Sequence, residues 1–376
     1  MRRLKGLWGL LACIGTLCAD PAWGAERTVL VFAGDTAFGE SYRLASESPA
    51  MAGDKRYLPS MTALLPLLRG GREVLVNLET PLARPGASSV EGKPYVHWAD
   101  PEKAVGALKA AGVTAVGLAN NHSMDQGYEG VAETVSRLQK AKIRSGGAGE
   151  NRMSAERPLR WRVPVGKGAV DVAVFFGFEY RKSYAEKYRF YADEKSPGVA
   201  GLDATRLEAA IRKTRGADPG ALLVVFPHWG KNYGWKSEAQ ARLARRFVDA
   251  GADLVIGHGA HRFQEIESYR GKWILYGLGN FAFHSPGRYD RKSSPSYSFV
   301  ARLELSDTKG SLRKALRLYP IQSDNVLTGF KSRPVTQQEF AEAESLLIER
   351  IEGQGARERV RPGKDSLGHH FEITLP

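Results

Sequence analysis

The sequence GADLVIGHGAHRFQEIE occupies residues 251–267 and contains the pattern that decides the fold. Its apolar run Leu254–Ile256 has the length of a short buried strand, and Gly257 follows it. Two imidazoles, His258 and His261, come next. A strand holds the side chains that follow it on a rigid scaffold, and neutral imidazole is a common ligand of divalent transition metals. The stretch therefore predicts a metal site at the end of a strand.

Four other apolar runs end on side chains of the same chemical types. Three of them finish near Asp35, Glu79 and His228, and the fourth leads to Asn121. Each residue also has an ordinary structural interpretation: Asp35 as a helix cap or turn residue, Glu79 as a surface acid, and His228 as a satisfied core residue. The recurrence of ligand types at strand ends favours one shared functional site.

The sequence GLANNHSMDQG, residues 117–127, adds a second polar cluster after a strand. Asn120, Asn121 and His122 need partners if they pack against the end of an apolar strand. Asp125 lies one turn further on, where its carboxylate can orient the imidazole of His122. The alternative is a plain turn, which also uses Asn and Gly.

From residue 28 to about residue 323, segments typical of strands and helices alternate. Asp100 and Pro101 predict the start of one helix. Short strands are predicted at residues 263–267, 273–276 and 298–304, as antiparallel pairs. The alternation predicts an α/β fold, a layered sandwich of sheets and helices that spans residues 26–330. Residues 331–376 are predicted to be a C-terminal helix, which begins with a capping box of Thr336 and Glu339, and a charged tail.

The N-terminus has the features of a secretory signal peptide over residues 1–25. Basic residues precede a short apolar run, and small residues follow it at a plausible cleavage point. The protein is therefore predicted to be exported to the periplasm, the cell envelope or the medium. The alternatives are an uncleaved membrane anchor and a lipoprotein site at Cys13. Since Cys13 and Cys18 both lie in this segment, the mature chain would have no thiol.

The net charge of the whole chain is +13, and removal of the three basic residues and one acidic residue in residues 1–25 leaves +11. A basic exported protein attracts anionic polymers or anionic lipid surfaces. The sequence lacks a run of five basic residues and a basic motif interleaved with aromatic residues, so nucleic acid is not a predicted partner.

The ordered set of motifs resembles the CapA family of poly-γ-glutamate capsule biosynthesis proteins, over about residues 28–285. The resemblance implies a four-layer α/β/β/α sandwich similar to that of the calcineurin-like metallophosphoesterases. The motifs that carry it are GDTAFG (34–39), NLETPL (77–82), KPYVHW (93–98), LANNHSMDQG (118–127), HWG (228–230), GADLVIGHGAH (251–261) and YGLGNFAF (276–283).

The same resemblance implies the roles of individual residues. It implies His122 as the catalytic acid or substrate-polarising group, with Asp125 beside it. Lys93 and Tyr233 would bind an anionic substrate. The metal ligands that it implies are Asp35, Glu79, Asn121, His228, His258 and His261.

Three positions depart from the metallophosphoesterase pattern. Position 37 is Ala where that pattern has His, and Glu79 stands where it has a bridging Asp. Two residues, Gly259 and Ala260, separate the late histidines where the pattern has one. The cofactor expected from these residues is a divalent cation, Mn, Zn or Fe, with either one or two ions.

Three functions follow as hypotheses. The first is a metal-dependent hydrolase-type protein that acts on an anionic surface polymer such as poly-γ-glutamate, or on its phosphorylated precursors, with membrane-bound capsule synthesis proteins as partners. The second is a non-catalytic protein that binds the polyanion during export. The third is an exported metallophosphoesterase. A likeness of fold does not decide between them.

Overall fold

A computed structural model describes residues 27–39, 57–86, 89–308 and 310–375. The predicted signal peptide, residues 1–25, lies outside these ranges. Within them, no helix has both the length and the apolar character that crossing a bilayer requires.

The described part of the chain alternates strands with helices, as the sequence predicts. The strands, in chain order, are β1 (Arg27–Ala37), β2 (Glu73–Leu78), β3 (Ala115–Gly117), β4 (Arg144–Gly146), β5 (Ala148–Gly149), β6 (Leu159–Val165), β7 (Gly168–Phe178), β8 (Gly198–Val199), β9 (Leu222–His228), β10 (Leu254–Ile256), β11 (Ile266–Tyr269), β12 (Lys272–Leu275), β13 (Asn280–Phe283), β14 (Tyr297–Thr308), β15 (Ser311–Gln322), β16 (Arg333–Pro334), β17 (Ile351–Glu352), β18 (Val360–Asp365) and β19 (Gly368–Thr374).

The helices lie between these strands. The α-helices are α1 (Leu58–Met61), α2 (Leu65–Leu68), α3 (Pro101–Ala110), α4 (Gly127–Lys140), α5 (Arg152–Ala155), α6 (Lys182–Glu186), α7 (Ala204–Ala217), α8 (Glu238–Asp249), α9 (Asn325–Thr328) and α10 (Gln337–Ile348). Short 3₁₀ turns occur at Thr62–Leu64, Asp290–Lys292 and Arg357–Arg359.

The described strands form two large sheets and a small one. The larger sheet has the order β18-β19-β15-β14-β1-β2-β3-β4, with β13 paired to β1 and β16 to β15. The smaller of the two large sheets has the order β17-β11-β12-β10-β9-β7-β6, and β5 pairs with β8 in the third. Strands β1 to β4 are parallel, and so are β7, β9, β10 and β12. Each large sheet therefore has its own set of carboxyl strand ends.

Side chains of β1 alternate between two cores, because successive residues of a strand point to opposite faces. Leu30 and Phe32 belong to a central core that also contains residues of the second large sheet. Val29, Val31 and Ala33 pack instead with α3 and the other helices on the outer face. All five side chains are buried. The larger sheet is thus covered by the second sheet on one side and by helices on the other.

Strand β9 shows the same alternation in the second sheet. Leu222, Val224 and Phe226 join the central core, whereas Leu223 and Val225 pack against α7 and α8. The layers therefore run helix, sheet, sheet, helix. This arrangement confirms the predicted α/β/β/α sandwich.

The helix ends follow from local sequence signals. Asp100 caps α3 by accepting a hydrogen bond from the backbone N–H of Lys103 at 3.1 Å, as Asp-Pro predicts. The predicted capping box of Thr336 and Glu339 is present at the start of α10. This helix ends at Ile348, whereas the sequence predicts an end at about Glu352.

The segment predicted as a charged C-terminal tail forms regular structure. Strands β18 and β19 make a hairpin, and β19 pairs with β15 of the larger sheet through Phe371 and Ile373. Both side chains are buried in the central core. The alternation of charged and apolar residues in this segment is therefore that of an edge hairpin with one buried face. Of the predicted antiparallel strands, residues 298–304 lie in β14 of the larger sheet, whereas β11 and β12 pair in the other.

Candidate metal centre

Asp35 lies at the centre of the candidate site, near the carboxyl end of β1. The pairing of β1 with β2 is irregular between Ala33 and Asp35, and this bulge places the carboxylate beside Asn77. Asp35 is fully buried. Its Oδ1 accepts a hydrogen bond from Asn77 Nδ2 at 2.9 Å, and its Oδ2 accepts one from the backbone N–H of Gly259 at 3.1 Å. Both sheets therefore hold this carboxylate.

His228 and His258 approach Asp35 from the second sheet. His228 is the last residue of β9, and His258 comes two residues after the parallel strand β10. The two residues form an isolated backbone bridge with each other. His258 Nδ1 lies 3.3 Å from Asp35 Oδ1, and His228 Nδ1 lies 3.8 Å from the same oxygen. The two Nδ1 atoms are 3.1 Å apart. The three buried side chains converge as one set of ligand atoms.

A second set of ligand types shares Asp35. It contains Glu79 and His261, and its ligand atoms lie within 4.8 Å of one another. His261 Nδ1 is 3.7 Å from Asp35 Oδ2. Its backbone has a φ of 62°, which the loop after Gly259 requires in order to turn the ring towards the site. Asp35 is the carboxylate common to both sets, whereas Glu79, considered from the sequence as a bridging acid, belongs to one.

Several buried polar atoms at this point have no hydrogen-bond partner among the described residues. They are both carboxylate oxygens of Glu79, Nε2 of His258 and Oδ1 of Asn121. Buried polar atoms are nearly always paired, and an unpaired one costs about 1–3 kcal/mol. Burial and the nearby Asp35 raise the pKa of Glu79 well above its usual value. The donor set fits a divalent cation, which would pair with these atoms and balance the two carboxylates.

The surroundings of His228 and His261 favour the neutral imidazole, which is the form that binds metal. Burial lowers the pKa of His228 well below its ordinary value, and the neighbouring His258 adds to this effect. Burial also lowers the pKa of His261. Neutral imidazoles have a lone pair for a cation, so no proton has to leave at neutral pH before binding.

Three asparagines hold these ligands in place, and two of them, Asn77 and Asn280, were not identified from the sequence as site residues. Asn77 joins Asp35 to the amide of Asn120, whose Nδ2 donates to Asn77 Oδ1 at 3.0 Å. Asn280 Oδ1 lies 2.9 Å from His261 Nδ1 and fixes the orientation of that ring. Asn77 and Asn280 sit within the motifs NLETPL and YGLGNFAF, so the signal in the sequence was the motif itself.

His122 and Asp125 form a buried pair at the edge of this centre. His122 Nδ1 lies 2.6 Å from Asp125 Oδ2. Burial and the charge of Lys93 lower the pKa of His122 well below its ordinary value. A neutral His122 with its proton directed at Asp125 leaves Nε2 as an acceptor. The ring of His97 lies 4.1 Å from that of His122, centroid to centroid.

Lys93, predicted as a substrate-binding residue, lines the adjacent cavity but is tied to this pair. Its Nζ lies 2.7 Å from Asp125 Oδ1 and donates to the carbonyl of Tyr95 at 2.7 Å. Burial raises the pKa of Asp125 to about 6, and the ammonium of Lys93 opposes that rise. The geometry thus connects Lys93 to the orientation of His122.

The cavity beside the centre has a volume of about 420 Å³ and reaches His122, Asn121 and His261. Tyr233, the other predicted substrate-binding residue, lines it, and its ring lies 5.4 Å from that of His261. Arg181 also lines the cavity, and the sequence analysis did not identify it. A ligand in this space would therefore contact the candidate catalytic residues.

Residues 29–285 match the family described as bacterial capsule synthesis protein PGA_cap. The chain belongs to this family. The matched residues include every candidate ligand and the cavity residues Lys93, Arg181 and Tyr233. Membership confirms the resemblance to the CapA proteins that the sequence motifs indicate.

Curated proteins similar to this chain have names that refer to capsule or polyglutamine synthesis. A probable polyglutamine synthesis accessory protein of Mycobacterium tuberculosis H37Rv is 32% identical over 255 residues, 66% of this chain and 65% of that protein. The capsule biosynthesis protein CapA of Bacillus anthracis is 33% identical over 222 residues, 58% of this chain and 52% of that protein. The match thus spans less than two thirds of the length of each.

A solved structure of a novel phosphatase from Mycoplasma pneumoniae is similar to 79% of this chain and 94% of its own, at 13% identity and a TM-score of 0.43. A likeness at this level carries no argument about chemistry.

Proposed function

We propose that this protein is a metal-dependent hydrolase-type accessory protein in the synthesis of an anionic surface polymer, poly-γ-glutamate or its phosphorylated precursors. The observation that carries the proposal is the fully buried Glu79. Its carboxylate oxygens have no hydrogen-bond partner among the described residues, and they lie beside two ligand sets that share Asp35. An arrangement that costs folding free energy and fits a cation is characteristic of a functional site.

The family supports the biological process. The named relatives are capsule or polyglutamine synthesis proteins by their printed names. The part of the chain that matches the family, residues 29–285, contains the whole candidate centre. The polymer itself belongs to the proposal, as does partnership with membrane-bound capsule synthesis proteins.

The residues of the chain supply positions and proton transfers. Asp35, Glu79, Asn121 and the three histidines would hold the cation. A bound divalent cation would lower the pKa of a coordinated water and polarise the oxygen under attack. Asp125 keeps the His122 ring oriented towards the cavity, and a negatively charged ligand beside it would raise the pKa of that imidazole. His122 could then donate a proton to the leaving group.

We also propose that the mature protein acts outside the cytoplasm, in the periplasm or the cell envelope. The basic n-region and short apolar run of residues 1–25 support this location. An anionic polymer would meet the basic mature protein there.

The second candidate function is binding of the polyanion without catalysis. The cavity favours it, because four basic side chains line the space. Polymer binding that resists chelation and fails at high salt would support this function over hydrolysis.

The test is metal analysis combined with activity. We expect the purified protein to bind Mn, Zn or Fe, and Asp35→Asn and His258→Ala to lower metal affinity by about tenfold or more. Hydrolysis of γ-glutamyl amide or phosphoester substrates should fall with it. His369→Ala, in β19 and far from the ligands, is the control. Unchanged metal content and activity in both site variants would refute the proposal.

A further inference from the structure

The cavity beside the candidate centre has an unbalanced charge. Its described lining contains the basic side chains of Lys93, Arg181, Arg288 and Arg291 and no carboxylate. Lys93 is paired with Asp125, and Arg181 lies 3.6 Å from Glu179. These two cations are therefore compensated within the protein.

Arg288 and Arg291 are different. Among the described residues, neither forms an ion pair with a carboxylate. Arg288 donates to the hydroxyl of Tyr95 and lies 5.0 Å from the centre of its ring, which leaves its charge unbalanced. Arg291 is exposed at the rim of the cavity. Two guanidinium groups that line one cavity, neither of them ion-paired with a carboxylate among the described residues, present a site for an anion.

Tyr289, which lies between the two arginines in the sequence, anchors this segment of backbone to the candidate centre. This side chain is buried, and its hydroxyl donates to the carbonyl of His261 at 2.7 Å and accepts from Asn280 Nδ2 at 3.0 Å. The amide oxygen of the same Asn280 contacts the ring of His261. The backbone that carries the two arginines is thus held beside His261, a candidate metal ligand.

The lining of the cavity also includes apolar surface. Tyr95, Tyr184 and Tyr233 line the cavity together with Pro94 and Pro286. Aromatic and proline side chains pack against methylene groups, whereas a chain of phosphates has none to offer. The lining therefore favours a ligand whose charged groups are separated by short aliphatic segments.

We propose that Arg288 and Arg291 form a second anion subsite, which binds one carboxylate of a linear polycarboxylate while a neighbouring unit of the same chain occupies the candidate metal centre. This inference rests on the proposed function, since the second unit needs a centre to occupy. A planar guanidinium binds carboxylate with two parallel hydrogen bonds. Because a chain occupies this subsite and the centre together, whereas a single unit occupies only one of them, the subsite would favour chains. These arginines are then specificity residues that act on binding.

The experiment compares Arg288→Gln/Arg291→Gln with the wild-type full chain. Calorimetry would measure the Kd of short γ-linked glutamyl oligomers, of free glutamate and of inorganic phosphate. We expect the double variant to bind the oligomers at least about tenfold more weakly, with metal content unchanged and with a smaller loss for free glutamate and inorganic phosphate, which occupy one subsite at a time. Arg313→Gln/Arg361→Gln removes the same charge from exposed positions and should change the oligomer Kd by less than about twofold.

Other outcomes would overturn the inference. They are equal weakening in the two double variants, or oligomers that bind no more tightly than free glutamate. Linear polyphosphate that binds more tightly than the glutamyl oligomers, in an arginine-dependent way, would assign the subsite to phosphate chains instead.

The two proposals fail separately. If hydrolysis is metal-dependent and its KM is the same in wild type and the arginine variant, the subsite is wrong and the hydrolase stands. If oligomer binding depends on the arginines with chelator present and no hydrolysis is found, the subsite stands and the hydrolase fails.

Discussion

Glu79 lies fully buried at the end of β2, and neither of its carboxylate oxygens has a partner in the described part of the chain. Asp35, equally buried, accepts hydrogen bonds from Asn77 and from the backbone of Gly259. The two acids therefore differ in what they contribute to the metal-free protein. Asp35 is supported by the fold, whereas Glu79 lowers its stability.

Substitution of Glu79 tests this difference. Glu79→Met keeps a side chain of similar length and removes both unpaired acceptors, so we expect the unfolding free energy of the metal-free protein to rise by about 1–3 kcal/mol. Metal affinity should fall in the same variant. Urea denaturation with chelator present measures the first effect, and metal titration the second.

Asp35→Ala is the matched control for this change. It leaves Asn77 and the Gly259 N–H without their acceptor and should lower the unfolding free energy by about 1–3 kcal/mol. A Glu79→Met protein that is less stable than wild type would show that the buried acid is supported by interactions other than a cation.

At the scale of elements, the site depends on close contacts between strand ends. A Cβ on Gly257, which follows β10, would lie 2.2 Å from the carbonyl oxygen of Tyr276 and 2.3 Å from Nε1 of Trp229. A Cβ on Gly34 in β1 would lie 1.8 Å from the carbonyl oxygen of Gly279. Only glycine permits these approaches, which bring the ends of β1 and β10 to one point.

Gly257→Ala should move the strand end and the ligand that follows it. We expect an unfolding free energy lower by about 1–3 kcal/mol, because the methyl group meets backbone and a buried indole. Metal affinity should fall as His258 is displaced. The measurements are thermal unfolding and metal titration.

Gly106→Ala is the control for this substitution. Gly106 is exposed in the middle of α3, where an added Cβ meets no atom within 4 Å. Alanine there should raise stability by about 0.5–1 kcal/mol without a change in metal affinity. Equal effects of the two substitutions would contradict the close-contact explanation.

At the scale of the whole molecule, the four histidines with shifted pKa values at and beside the candidate centre respond to pH in the same direction. The pKa values of His97, His122, His228 and His261 all lie below the ordinary value, and burial is the largest cause for each. Each binds a proton less readily in the folded chain than in the unfolded one. Their contribution to stability is therefore complete above about pH 6.5 and is lost as the pH falls towards their folded pKa values.

Two buried acids act in the opposite direction. The pKa of Glu79 is raised by burial and by Asp35, and burial raises that of Asp125 to about 6. Their contribution is complete below about pH 4 and is lost as the pH rises through the folded pKa. Four groups lower the stability as the pH falls from 7 to 5 and two raise it, so we expect the histidines to dominate in this range.

We therefore expect the unfolding free energy of the metal-free protein to fall by about 1–3 kcal/mol between pH 7 and pH 5. Urea denaturation at a series of pH values, with chelator present, checks this. In His97→Phe, which removes one of the four groups and none of the candidate ligands, the fall should be smaller. An unfolding free energy that is constant or rises as the pH decreases would contradict the prediction.

Part of the fold and the site could be predicted from the sequence because both depend on local patterns. The strand ends at Asp35 and His228 follow apolar runs, and the caps of α3 and α10 follow Asp-Pro and Thr-x-x-Glu. The hairpin of β18 and β19 was not predicted, because its charged face resembles a solvated tail until the partner strand β15 is known.

The sequence by itself determined the α/β class, the strand-end positions of the candidate ligands and the family motifs, since these depend on residue types and short spacings. Only the tertiary structure decided that Asp35 is shared by two ligand sets, that Lys93 is tied to Asp125, and that Arg288 and Arg291 line one cavity without an ion pair to any described carboxylate. These facts depend on distances between residues far apart in the chain. Such distances arise only when two sheets pack and bring their strand ends to one cavity.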